Sequence, residues 1–211
     1  MSKAECMKKI VAVSDSLTND DPGNWLALMS AQVPGIEAVA EAHGGWTTTS
    51  YFKAKFDGVA FAKVPRDADL FIVLLGSNNL FEAQGGDDAA VAEATAGVDR
   101  IAKHVLRLSP GAAILLAAPP TVAMKKNILP EPKPDRRIDA QSPRFLGEIS
   151  KSYRALAGMR GWLFVDLFPL LGEDDFADAA HPNDWGNRKM ADAIGKTVAD
   201  WMANTGRIQL L

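Results

Sequence analysis

Short, continuous apolar runs limit what this chain can fold into. Ile10–Val13, Leu70–Leu75 and Ala112–Ala118 are each four to seven residues long, with no polar residue alternating through them, and WLFVD at Trp162–Asp166 reads the same way. Such runs suit strands covered on both faces, because a strand with one wet face alternates apolar and polar residues. A fifth segment, Ile36–Ala42, carries Glu37 and Glu41 and reads as an edge strand. Between the runs the apolar period changes to three or four residues. Trp25, Leu28, Met29 and Gln32/Val33 follow Asn24, a candidate N-cap. Val91, Thr95, Val98, Ile101, Val105 and Leu108 form a second stripe, Leu146, Ile149, Tyr153 and Leu156 a third, and Met190, Ile194, Val198 and Trp201 a fourth. Alternating strands and helices predict an α/β fold in three α/β/α layers, with a parallel five-stranded sheet. Right-handed crossovers leave few topologies, and the flavodoxin-like order 2-1-3-4-5 is the one expected, with residues 1–211 forming one domain.

Composition removes several classes of function. The chain has 211 residues and a net charge of -3, so it lacks the basic excess of a nucleic-acid footprint. Cys6 is the one cysteine, which excludes an internal disulfide and a Cys-built zinc site. The apolar run after MSKAECMKK is too short for a signal peptide, and no run approaches the roughly 18 residues of a membrane span. A cytoplasmic protein is expected. Walker and Rossmann glycine patterns are absent, as is the Gly-x-Ser-x-Gly elbow.

In this strand order ligands bind beyond the carboxyl ends of the strands, where the order reverses. Four polar stretches fall on that rim: SDSLT after strand 1, AHGGWTTTS after strand 2, LLGSNN around the end of strand 3, and DAAHPNDWGN before the last helix. Together they hold the parts of an acyl-transfer site. Ser16 supplies a hydroxyl, which needs a base to become nucleophilic. His181 can be that base, and Asp178, three residues earlier, can orient it from one helical turn away. Asn78 offers an amide donor for a developing oxyanion, and Gly45 allows the backbone to approach closely.

These stretches resemble the blocks of the SGNH, or GDSL-like, hydrolases, a family of lipases, acylhydrolases and carbohydrate esterases on a flavodoxin-like sheet. Ser14-Asp15-Ser16-Leu17 is similar to Gly-Asp-Ser-Leu, with serine for glycine. Gly45-Trp46-Thr47-Thr48 is similar to the second block and selects Gly45 over Gly44. Gly76-Ser77-Asn78-Asn79 keeps the third block's asparagine and has an amide for its acid. Asp178-Ala179-Ala180-His181 matches the last block. The resemblance spans roughly residues 9–200. It implies a serine esterase for small to medium carboxylic esters, with Ser16 as nucleophile, His181 as base and Asp178 as its orienting acid. The Ser16 and Gly45 N–H groups and the Asn78 amide then form the oxyanion hole, and neither cofactor nor metal is needed.

Two other readings stand beside it. One is an SGNH-like fold that binds carbohydrate or a partner without catalysis, favoured by the changes at Ser14 and Asn79. The other is a flavin-binding flavodoxin-like protein, in which the loop after strand 1 holds a phosphate. That loop lacks the glycine such a cradle prefers.

One segment breaks the alternation. Pro119–Phe145 holds six prolines and leaves strand 4 on the same rim. A connection this long is unusual inside a compact domain. It is expected to wall the acyl pocket, with Ile128, Leu129 and Phe145 as apolar contacts. A surface loop and a contact between two copies of the chain are the alternatives.

Overall fold

The computed structural model describes residues 7–82, 87–126 and 138–208. Strands β1 (Lys8–Ser14), β2 (Ile36–Ala42), β3 (Leu70–Leu74), β4 (Ala113–Ala118) and β5 (Leu163–Asp166) form one sheet. All pairings are parallel and the order is β2-β1-β3-β4-β5, as expected. The helices are α1 (Trp25–Gln32), the single turn α2 (Asn79–Glu82), α3 (Asp87–Leu108), α4 (Ser142–Arg160) and α5 (Asp184–Ile208). The four long ones cover the two faces of the sheet, which makes three layers.

The pleat explains the continuous apolar runs. Successive side chains point to opposite faces. Ile10, Ala12, Leu70, Ile72 and Leu74 pack with residues of α1 and α5, whereas Val11, Val13, Phe71 and Val73 pack with residues of α3 and α4. Both faces are dry, so both sets must be apolar.

Asn24 caps α1, its side chain accepting the Leu26 N–H. The buried stripe of that helix runs through Trp25, Leu26 and Met29 to Val33, while Gln32 is exposed and donates to Asp192. The expected boundary at Phe145 is wrong. Ser142–Phe145 is the first turn of α4, with Pro143 in the position where a missing N–H costs nothing. Phe145 is fully buried in the core between α3, α4 and the sheet, so it is not a pocket contact. Ile128 and Leu129 lie outside the described residues. No helix among the described residues is long and apolar enough to cross a membrane.

Candidate active site

The carboxyl end of β1 and the loop before α5 bring Ser16, His181 and Asp178 together. His181 Nε2 lies 3.0 Å from Ser16 Oγ, and His181 Nδ1 lies 2.8 Å from Asp178 Oδ2. Asp178 Oδ1 accepts the backbone N–H groups of Ala180 and His181, each at 2.8 Å. Those two bonds close the turn that the three-residue spacing suggests. A carboxylate can only accept, so in the neutral imidazole Nδ1 carries the proton and Nε2 offers its lone pair to the Ser16 hydroxyl. Burial acts to raise the Asp178 pKa, but the Ala180 N–H and the His181 imidazole and N–H outweigh it and hold the carboxyl below its ordinary value. Both side chains are about half exposed, at 46% and 59%, so water screens their attraction.

Asp15, which sequence reasoning treated only as part of a motif, is the buried acid of the site. Its Oδ1 accepts the Leu17 N–H at 3.0 Å and its Oδ2 accepts the Asn78 amide at 3.0 Å. The same Asn78 nitrogen donates to the Trp46 carbonyl at 3.1 Å. Asn78 is thus fixed between the first and second rim loops through its Nδ2. Gly45 adopts a φ of 76°, a left-handed conformation that glycine tolerates and a side chain resists.

Burial pushes the Asp15 carboxyl up to about 6, against the opposing pull of the Leu17 N–H, the His181 charge and the Asn78 amide. Between about pH 4 and 6 the folded chain keeps a proton that the unfolded chain has released. Stability from this group is therefore fully present below pH 4 and is lost as pH rises through 6. A shift of this size corresponds to roughly 2–3 kcal/mol. Denaturant melts of wild type and Asp15→Asn at pH 4, 5, 6 and 7 test it. The stability of wild type relative to the variant should fall across that range, and a constant difference would overturn the assignment.

The two departures from the family blocks have local partners. Ser14 Oγ donates to the Leu74 carbonyl at 2.9 Å, so the extra side chain is absorbed between β1 and β3. Asn79 Oδ1 accepts the Thr48 N–H at 3.1 Å, while its nitrogen donates to Thr48 Oγ1 and to Glu93 Oε2. An aspartate at 79 would set a second carboxylate against Glu93, whereas the amide supplies a donor.

Two asparagines hold the nucleophile loop against the histidine loop. Asn24 donates to the Leu17 carbonyl at 3.1 Å. Asn187 accepts the Trp25 N–H at 3.1 Å and donates to the Pro182 carbonyl at 3.2 Å. Next to them Gly186 leaves no room for a side chain. A Cβ there would sit 2.3 Å from the Asp175 carbonyl oxygen and 2.8 Å from Pro182 Cβ. Gly186→Ala should therefore displace the Asp175–Pro182 loop and lower stability by about 1–3 kcal/mol. A thermal melt reads the stability loss, and kcat should fall with it because His181 moves.

His43 and His104 take structural places. His43 stacks on Trp46 with centroids 3.9 Å apart and meets Glu41 at 2.7 Å. His104 stacks on Phe61 at 4.2 Å. Among the described residues no group of three or more His, Cys, Asp or Glu is arranged to hold a metal.

Two cavities meet at Ser16 and His181. The larger, about 510 Å³, contains Gly45 and Asn78 and has Leu17, Leu80, Val122, Ile138 and Leu146 in its walls. Pro120, Thr121, Val122, Lys126 and Ile138, at the two ends of the proline-rich segment, line it. Lys126 Nζ is itself tied to the Phe176 carbonyl. The smaller cavity, about 440 Å³, lies beside Thr18, Asn19, Asp20 and Lys63.

A serine hydroxyl, imidazole and carboxylate in series at the carboxyl edge of this sheet define a class, the SGNH-type hydrolases. The sequence matches the model of the GDSL-like lipase/acylhydrolase family over residues 11–189, and the chain belongs to that family. Three solved structures share the fold, each covering 92% of this chain and 99% of its own. They are an aryl esterase from M. smegmatis (TM-score 0.69, 19% identity), Est24, a carbohydrate acetylesterase from Sinorhizobium meliloti (0.72, 20%), and a putative arylesterase from Agrobacterium tumefaciens str. C58 (0.70, 24%). No curated protein matches the sequence.

Proposed function

We propose that the protein is a serine esterase that hydrolyses small to medium carboxylic esters through an acyl-enzyme. The observation that carries this reading is the unbroken series Ser16 Oγ, His181 Nε2, His181 Nδ1, Asp178 Oδ2, which opens on a largely apolar cavity. Ser16 Oγ attacks the acyl carbon as its proton passes to His181 Nε2. The imidazolium formed is stabilised by Asp178. The carbonyl oxygen, now an oxyanion, takes hydrogen bonds from the Ser16 and Gly45 N–H groups and from Asn78 Nδ2, whose donors are shared with Asp15 and Trp46. Collapse expels the alcohol, which leaves with the proton from His181. Water, deprotonated by the same imidazole, then frees the acid and restores Ser16.

Labelling by an active-site-directed fluorophosphonate tests the reading, because only an activated serine reacts. Labelling at Ser16, together with turnover of aryl and sugar acetates, is expected. Folded protein that neither labels nor turns over would leave the binding-module reading in its place. Asn78→Ala should lower kcat by about 10²–10³-fold, the size of one lost oxyanion donor.

A further inference from the structure

We infer that Lys63 and Asp20 form a subsite for the alcohol half of the ester, and that this subsite fits a neutral, polyhydroxylated alcohol such as a glycerol or sugar unit. The inference rests on the esterase reading above and concerns the smaller cavity.

Ser16 and His181 line both cavities, but Gly45 and Asn78 line only the larger one. The carbonyl oxygen must point toward those donors, and the larger cavity is walled by Leu17, Leu80, Val122 and Leu146, which suits an acyl chain. The leaving oxygen must stay within reach of His181 Nε2, and Ser16 and His181 both line the smaller cavity. The alcohol therefore has that cavity to itself.

Its walls differ in kind. Thr18 Oγ1 is taken by the Trp25 indole N–H at 3.1 Å, and Asn19 Oδ1 by the Asp21 N–H at 3.0 Å. Lys63 Nζ and the Asp20 carboxylate make no ion pair or side-chain hydrogen bond among the described residues, and both residues are exposed and line the cavity. One is a donor of three hydrogens and the other an acceptor-only group. Their charges sum to zero, so the pair offers donor and acceptor without a net charge. A hydroxyl both donates and accepts, so vicinal hydroxyls match such a pair, whereas an anionic alcohol would meet Asp20.

Lys63 is also held in place. Glu41, at the end of β2, is fully buried, and its two carboxylate oxygens accept the Phe61 N–H at 3.0 Å and the Lys63 N–H at 2.7 Å. Phe61 sits at a φ of 61°, and it is the one non-glycine residue with positive φ among those described. Such strain persists only where surrounding contacts impose it, and it concentrates at functional sites. The same carboxylate meets His43 Nε2 at 2.7 Å, so it ties the backbone of Lys63 to the loop that follows β2, beside Ser16.

The test compares kcat and KM on three acetates of increasing alcohol polarity: ethyl acetate, glycerol monoacetate and an acetylated methyl glycoside, with nitrophenyl acetate as reference. Wild type is set beside Lys63→Met and Asp20→Asn, which keep side-chain volume. Each variant should raise KM for the two polyhydroxy esters about 5- to 20-fold. Nitrophenyl acetate kinetics should stay within about twofold. Equal losses on all substrates, or no loss on any, would overturn the subsite. So would a loss in Lys63→Met matched by a gain in Asp20→Asn on the acetyl ester of glycerol phosphate, which would mark an anionic alcohol instead. If wild type hydrolyses none of the four esters and Ser16 does not label, the esterase reading itself fails and the subsite fails with it.

Discussion

Ser16→Ala and His181→Ala are each expected to lower kcat on a nitrophenyl ester by about 10⁵–10⁶-fold, and the double variant by little more. The reason is the single 3.0 Å contact between Ser16 Oγ and His181 Nε2. Removing either partner removes the same proton transfer, so the second loss has nothing left to take. The fold should survive both changes. Ser16 Oγ bonds no other described group in the structure, and the His181 side chain is 46% exposed, so its truncation opens no core cavity. Steady-state and burst kinetics on protein with wild-type melting behaviour read the effect. Near-native hydrolysis by Ser16→Ala would show that another residue is the nucleophile.

Asp178→Asn is the second large effect. In the native turn one oxygen accepts the Ala180 and His181 N–H groups while the other accepts His181 Nδ1. An amide keeps only one acceptor oxygen. If that oxygen stays on the two backbone donors, the new NH₂ faces Nδ1 and forces the proton of the neutral imidazole onto Nε2. That nitrogen then no longer accepts from Ser16. A loss of about 10³–10⁴-fold in kcat is expected, with KM little changed. Asp178→Ala removes the acceptor without imposing the wrong tautomer, so it should cost no more than the amide. A smaller loss for Asp178→Asn than for Asp178→Ala would count against the tautomer account.

The sheet was legible because both its faces are dry. Strands such as Leu70–Leu74 carry apolar residues at every position, a signal that survives without alignment or context. Chirality rules left few strand orders, the flavodoxin-like one was the order expected among them, and the rim position of Ser16, Asn78 and His181 followed from that order. Legibility ended where a contact depends on a loop without periodicity. Glu41 looks like an edge-strand acid, yet it is buried, because Phe61 and Lys63 from an irregular segment fold over it. Asp15 looks like a motif letter, and its role as acceptor for Asn78 appears only when residues 63 positions apart meet. Phe145 was misread for the opposite reason. A proline two residues before it marks a helix start as readily as a loop end, and nothing local decides between them.

The distance along the chain between Ser16 and His181 bears on how the protein comes into being. The two are 165 positions apart, and α1, which follows the serine, packs on α5. A ribosome makes chains from the amino end at about 5–20 residues per second. Ser16 therefore leaves the ribosome seconds before Asp178, His181 and α5 are made. During that interval Ser16 lacks the imidazole that would take its proton in the proposed reaction. On the proposed esterase reading, the order of synthesis itself delays the appearance of a reactive serine.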